Sequence, residues 1–249
     1  MRFEVVTLFP EMIQDALRHG VTGRAIRRGL LAVGTEDPRD ATSDVHRTVD
    51  DRPYGGGPGM LMKPEPLTAA IAAAAARLPA GSRRIYLSAQ GARFDQARAA
   101  ALKSEPGVVL VAGRYEGIDE RIIATSIDEE LSVGDYVLSG GELPALIVID
   151  AVARLLEGAL NDARSSAEES FADGLLDWPH YTRPEEFAGL KVPQVLAGGD
   201  HERIRRWRLK QALGRTWARR PDLFIARRAS TPEEVELLNE YLQERQIET

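Results

Sequence analysis

Three stretches of this chain follow one pattern, in which an apolar, strand-like run ends in a loop of glycine, serine and charged residues. They are Arg84–Gly91, Val108–Gly117 and Tyr136–Pro144. Runs of Val, Leu and Ile with little polar alternation are typical of strands that are buried on both faces of a parallel sheet. Ligands of open α/β sheets bind outside the carboxyl ends of such strands. The sequence therefore predicts that the three loops form one shared small-molecule pocket.

The order of segments predicts an α/β fold with a small helical domain at its C-terminal end. Residues 1–160 alternate apolar strands with helices, residues 161–171 are small and polar and are predicted to be a linker, and the strand signal disappears in residues 172–249. The predicted strands of the first domain are Phe3–Leu8, Ile85–Ser88, Val108–Ala112 and Tyr136–Leu138. Its predicted helices are Pro10–Arg18, Leu67–Leu78 and Pro144–Glu157.

Two helices are predicted in the C-terminal domain from their start signals. The first covers Glu202–Trp217, with Asp200 as its N-cap and Gly214 as a weak point near its end. The second begins with a capping box, in which Thr231 is the N-cap and Glu234 occupies the third helical position.

The composition limits the compartment and the chemistry. The chain has no cysteine, which excludes disulfides and cysteine-ligated zinc. Its first apolar run is short and contains Glu4, so it predicts a strand and not a signal peptide. No window approaches the ~20 apolar residues of a membrane span. We therefore expect a cytoplasmic protein with no membrane partner.

One basic strip stands out in an otherwise acidic chain. The net charge is −6, yet residues Arg203–Arg220 contain eight Lys or Arg and no acid. Trp207 and Trp217 lie among them. Because the local field matters more than the total charge, this strip predicts contact with a polyanion such as a nucleic acid. The alternative is a solvated helix face, and Trp207 is favoured as a core residue over a base-stacking platform.

Known nucleotide-binding and hydrolase motifs are missing from the sequence. There is no Gly-x-Gly-x-x-Gly after a strand, no Gly-x-x-x-x-Gly-Lys-Ser/Thr and no Gly-x-Ser-x-Gly. The four histidines lack the spacing of a metal site, so no metal ligands are predicted. The glycine-rich segment Asp50–Met60 is either a long connection with positive φ angles or a flap over the pocket.

Other candidate groups are ambiguous when each is taken alone. Tyr115 either covers the sheet end or stacks on a purine, and Glu116 is suited to hold a ligand ammonium. Spacing alone favours an ordinary surface ion pair for Asp150 and Arg154, four apart on one helix face. Acids in a linker, such as Glu169, are usually only solvated.

Taken together, these stretches resemble the family of bacterial tRNA (guanine-N1)-methyltransferases, and the resemblance covers nearly the whole chain. The strings that carry it are Phe9–Met12, His46–Met60, Gly113–Arg121, Gly134–Pro144, Leu175–Asp177, Pro179–Pro184 and Ile204–Gln211. The resemblance implies methylation of the guanosine immediately 3′ of the anticodon. It also implies an α/β fold with a deep trefoil knot, S-adenosylmethionine bound bent in that knot, a homodimer with active sites at the subunit interface, and a helical domain that grips tRNA.

The resemblance also assigns roles to individual residues. The methyl-donor pocket is expected to use Leu87, Ser88, Gly113, Tyr115, Glu116, Val133, Gly134, Asp135, Tyr136, Val137, Leu138, Gly140, Gly141 and Pro144. The tRNA is expected to contact Asp177, Arg183, Arg205, Arg206, Arg208 and Lys210. The family reaction is associated with Mg²⁺, for which the sequence offers no recognisable site.

Arg154 and Glu169 are the catalytic residues that the resemblance implies. Glu169 falls where the family pattern has an aspartate as general base, so its carboxylate is one methylene longer, and the neighbouring Glu168 is an alternative base. Two other functions stay open: a knotted-family RNA methyltransferase that acts on another base or on a ribose hydroxyl, and a non-catalytic RNA-binding protein.

Overall fold

The computed structural model describes residues 1–161 and 169–247, with side chains through Arg245. The chain divides into two compact units, Met1–Ala163 and Arg164–Thr249. Most of the predicted linker, including Glu168, lies outside the described residues.

The first unit is built on a sheet of five parallel strands. In spatial order the strands are β2 (Ala32–Glu36), β1 (Arg2–Val6), β6 (Val108–Val111), β5 (Arg83–Arg93) and β7 (Glu129–Ser132). A separate antiparallel pair consists of β3 (Asp50–Asp51) and β4 (Leu61–Met62), which flank the glycine-rich segment. The parallel sheet confirms the predicted α/β class of this unit.

Helices cover both faces of the sheet. They are α1 (Pro10–Ala16), α2 (Gly20–Arg27), α3 (Pro64–Ala76), α4 (Gln96–Lys103), α5 (Glu120–Ser126) and α6 (Glu142–Arg154), with a short 3₁₀ helix at Pro38–Ala41. Val108 and Leu110 of β6 pack with α1, α2, α4 and α6, whereas Val109 and Val111 pack with α3 and α5. Successive strand residues point to opposite faces, so a strand between two helical layers must be apolar at every position, as β6 is.

The predicted strand at Tyr136–Leu138 is wrong. This segment is a loop, and the side chain of Val137 is 90% exposed. The strand at this place in the chain is β7, which begins with two glutamates and therefore lacks the apolar run that the prediction relied on. β7 pairs only with β5 and so lies at the edge of the sheet, where Glu129 accepts a hydrogen bond from Arg98 Nε at 2.9 Å.

Two helix starts lie earlier in the chain than predicted. α3 begins at Pro64, so Pro64 and Pro66 belong to its first turn, where an N–H has no helical partner and a proline is tolerated. α6 begins at Glu142 rather than at Pro144, and it ends at Arg154.

The second unit is mainly helical. Its helices are α7 (Gln194–Ala197), α8 (His201–Arg219), α9 (Pro221–Arg227) and α10 (Pro232–Ile247). Asp200 accepts hydrogen bonds from the N–H groups of Glu202 and Arg203, which confirms the predicted N-cap of α8. The capping box of α10 also forms, since Glu234 N–H donates to Thr231 Oγ1 at 3.1 Å. The strand pair β8 (Glu186–Phe187) and β9 (Leu190–Lys191) was not predicted.

Gly214 is a packing residue and not only a weak point in its helix. A Cβ atom at this position would lie 2.3 Å from the ring of Tyr241. The small residue therefore lets α8 and α10 approach closely, beside a core that contains Leu213 and Leu237.

Candidate functional site

Three loops meet at the carboxyl edge of the parallel sheet around a cavity of about 260 Å³. They are the Ser88 loop, the loop that follows β6, and the loop that joins β7 to α6. Every predicted pocket residue except Asp135 lines this cavity. Of the remaining lining residues, Leu131 and Ser132 lie outside the three predicted stretches, whereas the others lie within them: Tyr86, Ala89, Gln90, Arg114 and Gly117.

The first loop is an insertion within β5. Leu87 and Ala92 both pair with Leu131 of β7, so Ser88–Gly91 bulges out of the strand. Gly91 allows the bulge to fold back, because a Cβ atom there would lie 2.3 Å from the Leu131 nitrogen. A bulge of this kind brings backbone polar groups to the sheet edge without ending the strand.

The second and third loops are held together by their main chains. Gly141 N–H donates to the carbonyl oxygen of Gly113 at 2.9 Å. A Cβ atom at Gly141 would lie 2.5 Å from the Cα of Ala112, and one at Gly140 would lie 2.3 Å from Arg114 Nε. Neither glycine has a positive φ, so close approach, and not backbone conformation, is the reason that a side chain does not fit.

The glycine-rich segment is attached to the second loop. Glu116 N–H donates to the carbonyl oxygen of Met60 at 2.9 Å, and Met62 N–H donates to that of Gly117 at 3.0 Å. Gly59 has a φ of +81°, and a Cβ atom on it would lie 2.4 Å from Glu116 Cγ. The end of this segment is therefore fixed beside the cavity, whereas Tyr54 near its tip is fully exposed.

Tyr115 lies in the second loop with a φ of +61° and is half-exposed. Partial burial raises the pKa of its hydroxyl, and the nearby negative charge of Asp50 raises that pKa further. The phenol therefore stays neutral at physiological pH.

The second unit has a cavity of about 590 Å³ beside α8. It is lined by Glu169, Asp173, Leu175, Leu176, Asp177, Trp178, His201, Ile204, Arg205, Arg208, Leu209 and Ala212. The guanidinium of Arg208 lies 4.8 Å from the centre of the Trp178 indole, and Asp177 Oδ2 is 2.8 Å from His180 Nε2. Glu169 and Asp177, predicted from separate motifs, thus share one cavity.

Among the described residues, four of the eight cations in the basic strip pair with acids: Arg205, Arg206, Lys210 and Arg220. Arg205 pairs with Glu202 of its own helix at 2.7 Å and also with Glu233. Arg206 pairs with Glu233 at 3.1 Å, and Lys210 pairs with Glu244 at 2.6 Å.

Part of the strip therefore forms ion pairs with α10, the helix that carries Glu233 and Glu244. Arg203 and Arg219 are exposed and make no ion pair within the part of the chain that the structure describes. Trp207 is partly buried, and its ring lies 6.3 Å from that of Tyr181. Arg183, the remaining predicted tRNA contact, is exposed.

Residues 1–226 match the protein family described as tRNA (Guanine-1)-methyltransferase TrmD. The chain belongs to this family. Three curated relatives, each called tRNA (guanine-N(1)-)-methyltransferase, are similar over nearly their full length. The Methylococcus capsulatus protein is 60% identical over 248 residues, which cover 100% of this chain and 98% of the relative.

The other two relatives are almost as similar to this member of the methyltransferase family. The Chromobacterium violaceum protein is 59% identical over 251 residues, covering 99% of this chain and 98% of the relative. The Aeromonas hydrophila protein is 59% identical over 240 residues, covering 96% of each chain. The match spans both compact units, so it includes the three-loop cavity and the cavity beside α8.

In this family member, the two predicted catalytic residues belong to different units. Arg154 is the last residue of α6 and is partly buried, whereas Glu169 lines the cavity beside α8. Among the described residues, no group of three or more His, Asp or Glu has a geometry that could hold a metal ion. None of the described helices is both long enough and apolar enough to cross a membrane.

Proposed function

We propose that this chain transfers a methyl group from S-adenosylmethionine to N1 of the guanosine immediately 3′ of the anticodon in tRNA. The observation that carries this proposal is the family match over residues 1–226, together with identities near 60% to relatives called tRNA (guanine-N(1)-)-methyltransferase. We assign the methyl donor to the three-loop cavity.

The cavity has the groups that a methyl donor of this kind needs. Loop backbone offers N–H and C=O groups to an adenine edge and to a ribose, while Leu87, Leu138 and Pro144 offer apolar surface to the purine. The carboxylate of Glu116 is suited to the positive charge of the amino-acid part. When bound, the donor supplies a methyl group that is already activated by a sulfonium.

The chemistry requires a base and a group that stabilises negative charge. Guanine N1 carries a proton at neutral pH, so its lone pair becomes available only when that proton leaves. We assign proton removal to Glu169. As the proton leaves, negative charge gathers on O6 of guanine, and we assign its stabilisation to the guanidinium of Arg154.

The longer side chain at position 169 changes the geometry of the proposed base. A glutamate places its carboxylate one methylene farther from the backbone than the aspartate of the family pattern does. Since a misplacement of ~1 Å can cost ~10²-fold in rate, the segment around Glu169 must compensate for this length. The alternative base, Glu168, lies outside the described residues.

We assign methyl-donor binding to residues 1–160 and tRNA binding to residues 172–249. The exposed cations Arg203 and Arg219 are better placed for phosphates than Arg205, Arg206 and Lys210, whose charges are matched by acids. Trp178 and Arg208 suit contact with a nucleobase, because an indole with a guanidinium on its face combines apolar surface with positive charge.

We extend the proposal to the trefoil knot, the homodimer, Mg²⁺ use and the cytoplasmic location that the resemblance implies. Exposed apolar side chains support an interface between two copies of the first unit: Phe9, Met12, Leu143 and Ile147 are each 36–46% exposed. The site of any Mg²⁺ stays unassigned.

Methyl transfer from labelled S-adenosylmethionine to an unmodified tRNA tests the function. The tRNA should carry guanosine on both sides of the boundary between the anticodon and its 3′ neighbour, and the methylated atom should be mapped. We expect label at N1 of the 3′ guanosine only. Label on a ribose or on another base would identify a different RNA methyltransferase, and tRNA binding without transfer would identify a non-catalytic RNA-binding protein.

A further inference from the structure

A buried carboxylate lies behind the three-loop cavity and has no part in the chemistry described so far. Glu142 is the first residue of α6 and is only 1% exposed. Its Oε1 accepts a hydrogen bond from Thr7 Oγ1 at 2.8 Å, and its Oε2 accepts one from Arg114 Nε at 2.9 Å. A buried carboxylate is strongly disfavoured unless such partners compensate for its lost hydration, so these contacts fix its position.

Arg114 is the partner that reaches the cavity. Arg114 lines the cavity, and its guanidinium donates from Nη1 to the carbonyl oxygen of Ser139 at 3.2 Å and lies 4.4 Å from the centre of the Phe9 ring. Gly140 leaves the space that this guanidinium occupies. One side chain of the second loop is therefore held by the third loop, by an aromatic ring and by the buried carboxylate.

Thr7 completes the network at the end of β1. Its hydroxyl oxygen accepts a hydrogen bond from Phe9 N–H at 2.9 Å while the hydroxyl donates to Glu142. Glu142 thus joins segments that are 135 and 28 residues away in the chain. An apolar side chain of the same size would fill the space but would not fix the orientation of Arg114, because only hydrogen bonds impose that direction.

We propose that Glu142 is a positioning residue of the methyl-donor pocket. It acts through Arg114, which it holds in the orientation that sets the second and third loops at the separation required by S-adenosylmethionine and its demethylated product. The proposal rests on the proposed function, since it concerns the ligand of that site.

A matched control is available in the same unit. Glu4 is also buried, at 8% exposure, and its carboxylate accepts hydrogen bonds from Nε and Nη2 of Arg77 at 3.0 and 2.7 Å. Neither Glu4 nor Arg77 lines the three-loop cavity. Glu4→Gln therefore removes the charge of another buried, arginine-paired carboxylate without touching the pocket, although Arg77 is more exposed than Arg114.

The experiment measures binding of S-adenosylhomocysteine by calorimetry and the thermal midpoint of the full-length parent, Glu142→Gln and Glu4→Gln. We expect Glu142→Gln to weaken binding by about tenfold or more, because a neutral amide replaces the charge-assisted hydrogen bond to Arg114 with a weaker one. Glu4→Gln should bind within about twofold of the parent, although both substitutions lower the thermal midpoint. A purely structural role for Glu142 would lower the midpoint and leave the affinity unchanged.

Arg114→Lys tests the same contact from the other side if Glu142→Gln does not fold. Lysine retains the charge but cannot bond Glu142 and Ser139 with the fixed geometry of a guanidinium, so binding should again weaken about tenfold. The variant that combines Glu142→Gln and Arg114→Lys should bind S-adenosylhomocysteine no more weakly than the weaker-binding single variant, since the two substitutions break the same contact.

Three results bear on the inference in different ways. Parent-like affinity in Glu142→Gln, or in Arg114→Lys when the first variant is unfolded, overturns it. Independent, additive losses in the double variant also overturn it. If the parent itself fails to bind S-adenosylhomocysteine, the proposed function fails, and this inference fails with it.

Discussion

The three-loop pocket is formed mainly by the main chain, whereas the basic strip is formed by side chains, several of which pair with acids. In the pocket, Gly141 and Gly113 share a backbone hydrogen bond, and a Cβ atom on Gly141 would overlap the backbone. In the strip, Arg206 and Lys210 reach Glu233 and Glu244 of α10.

A pocket made of loop backbone and a patch of charged side chains therefore differ in how well the sequence predicts them. A loop after a buried strand offers its backbone groups at a place that the sheet fixes, whatever else packs nearby. A cation on a helix is available to a phosphate only if no acid is closer, and in α8 the acids that pair with Arg206 and Lys210 lie 27 and 34 residues farther along the chain. Charge density in the sequence therefore overstates the number of cations that are free to bind a polyanion.

Removing the carboxylate of Glu169 should greatly slow methyl transfer. The three-loop pocket should still bind the methyl donor, and the second unit should still bind tRNA. We expect Glu169→Gln to reduce the single-turnover rate of methyl transfer by roughly 10²–10⁴-fold, because general-base catalysis is lost. Binding of S-adenosylhomocysteine and of tRNA should stay near the parent values. Arg154→Ala should also lower the chemical rate, since it removes charge stabilisation at O6.

Glu169→Asp is the matched variant, because it restores the side-chain length of the family pattern. Substantial activity would mean that the local segment adapts, and a large loss would mean that the site is fitted to glutamate. Parent-like transfer by Glu169→Gln would contradict the assignment. A loss of transfer in Glu168→Gln would then identify the neighbouring carboxylate as the base, and full activity in both variants would make Asp177 the next candidate.

A bulky side chain in the three-loop pocket tests whether the methyl donor binds among these backbone groups. Gly141→Trp places an indole where a Cβ atom alone already lies 2.5 Å from Ala112 Cα. We expect S-adenosylhomocysteine affinity, measured by calorimetry, to fall by more than about 100-fold because the cavity is lost. Gly198→Trp is the control, since the nearest atom to a Cβ there is 3.8 Å away and the residue does not line the cavity. Undiminished binding by Gly141→Trp would mean that the methyl donor binds elsewhere.

Two pairs of arginines on α8 test whether cations without an acid partner contribute more to tRNA binding than cations that are ion-paired. Replacing exposed Arg203 and Arg219 by glutamine should weaken tRNA binding and flatten its salt dependence by roughly one unit of slope per lost phosphate contact. Replacing Arg205 and Arg206, which are paired with acids, should have a smaller effect on that slope. The measurement is tRNA affinity at several salt concentrations. Equal slopes for the two double variants would show that tRNA displaces the acids of α10. The distinction between exposed and ion-paired arginines as tRNA contacts would then be wrong.

Lowering the pH should weaken α10, the helix that neutralises the strip. Hydrogen bonds from Arg227 and Ser230 lower the pKa of Glu234 from 4.5 to about 2. The folded state thus holds this carboxylate charged more strongly than the unfolded state does. Its contribution to stability is complete above about pH 4.5 and is lost as the pH falls towards about 2.

The parent should therefore lose thermal stability more steeply over this range than Glu234→Gln, which lacks the titrating group. Glu236→Gln, an exposed substitution in the same helix, is the control and should behave like the parent. Identical pH profiles for the parent and Glu234→Gln would remove Glu234 as a source of the effect.

Local sequence signals were enough wherever the interacting groups are close along the chain. The N-cap at Asp200 and the capping box of Thr231 and Glu234 formed as predicted, because each joins residues at most three positions apart. The prediction at Tyr136–Leu138 was wrong because strand assignment depended on apolar runs, and β7 is an edge strand that begins with glutamates. An edge strand can expose charged side chains, so its sequence resembles that of a loop.

The sequence by itself determined the α/β class, the strands buried between two helical layers and the loops that line the pocket, since apolar runs and glycines record burial and close approach directly. Only the tertiary structure decided which cations pair with acids, why Gly214 must be small, and that Glu142 supports the pocket through Arg114. Those features depend on contacts between residues that are far apart in the chain. No short pattern specifies such contacts, because either partner alone reads as an ordinary surface or helix residue.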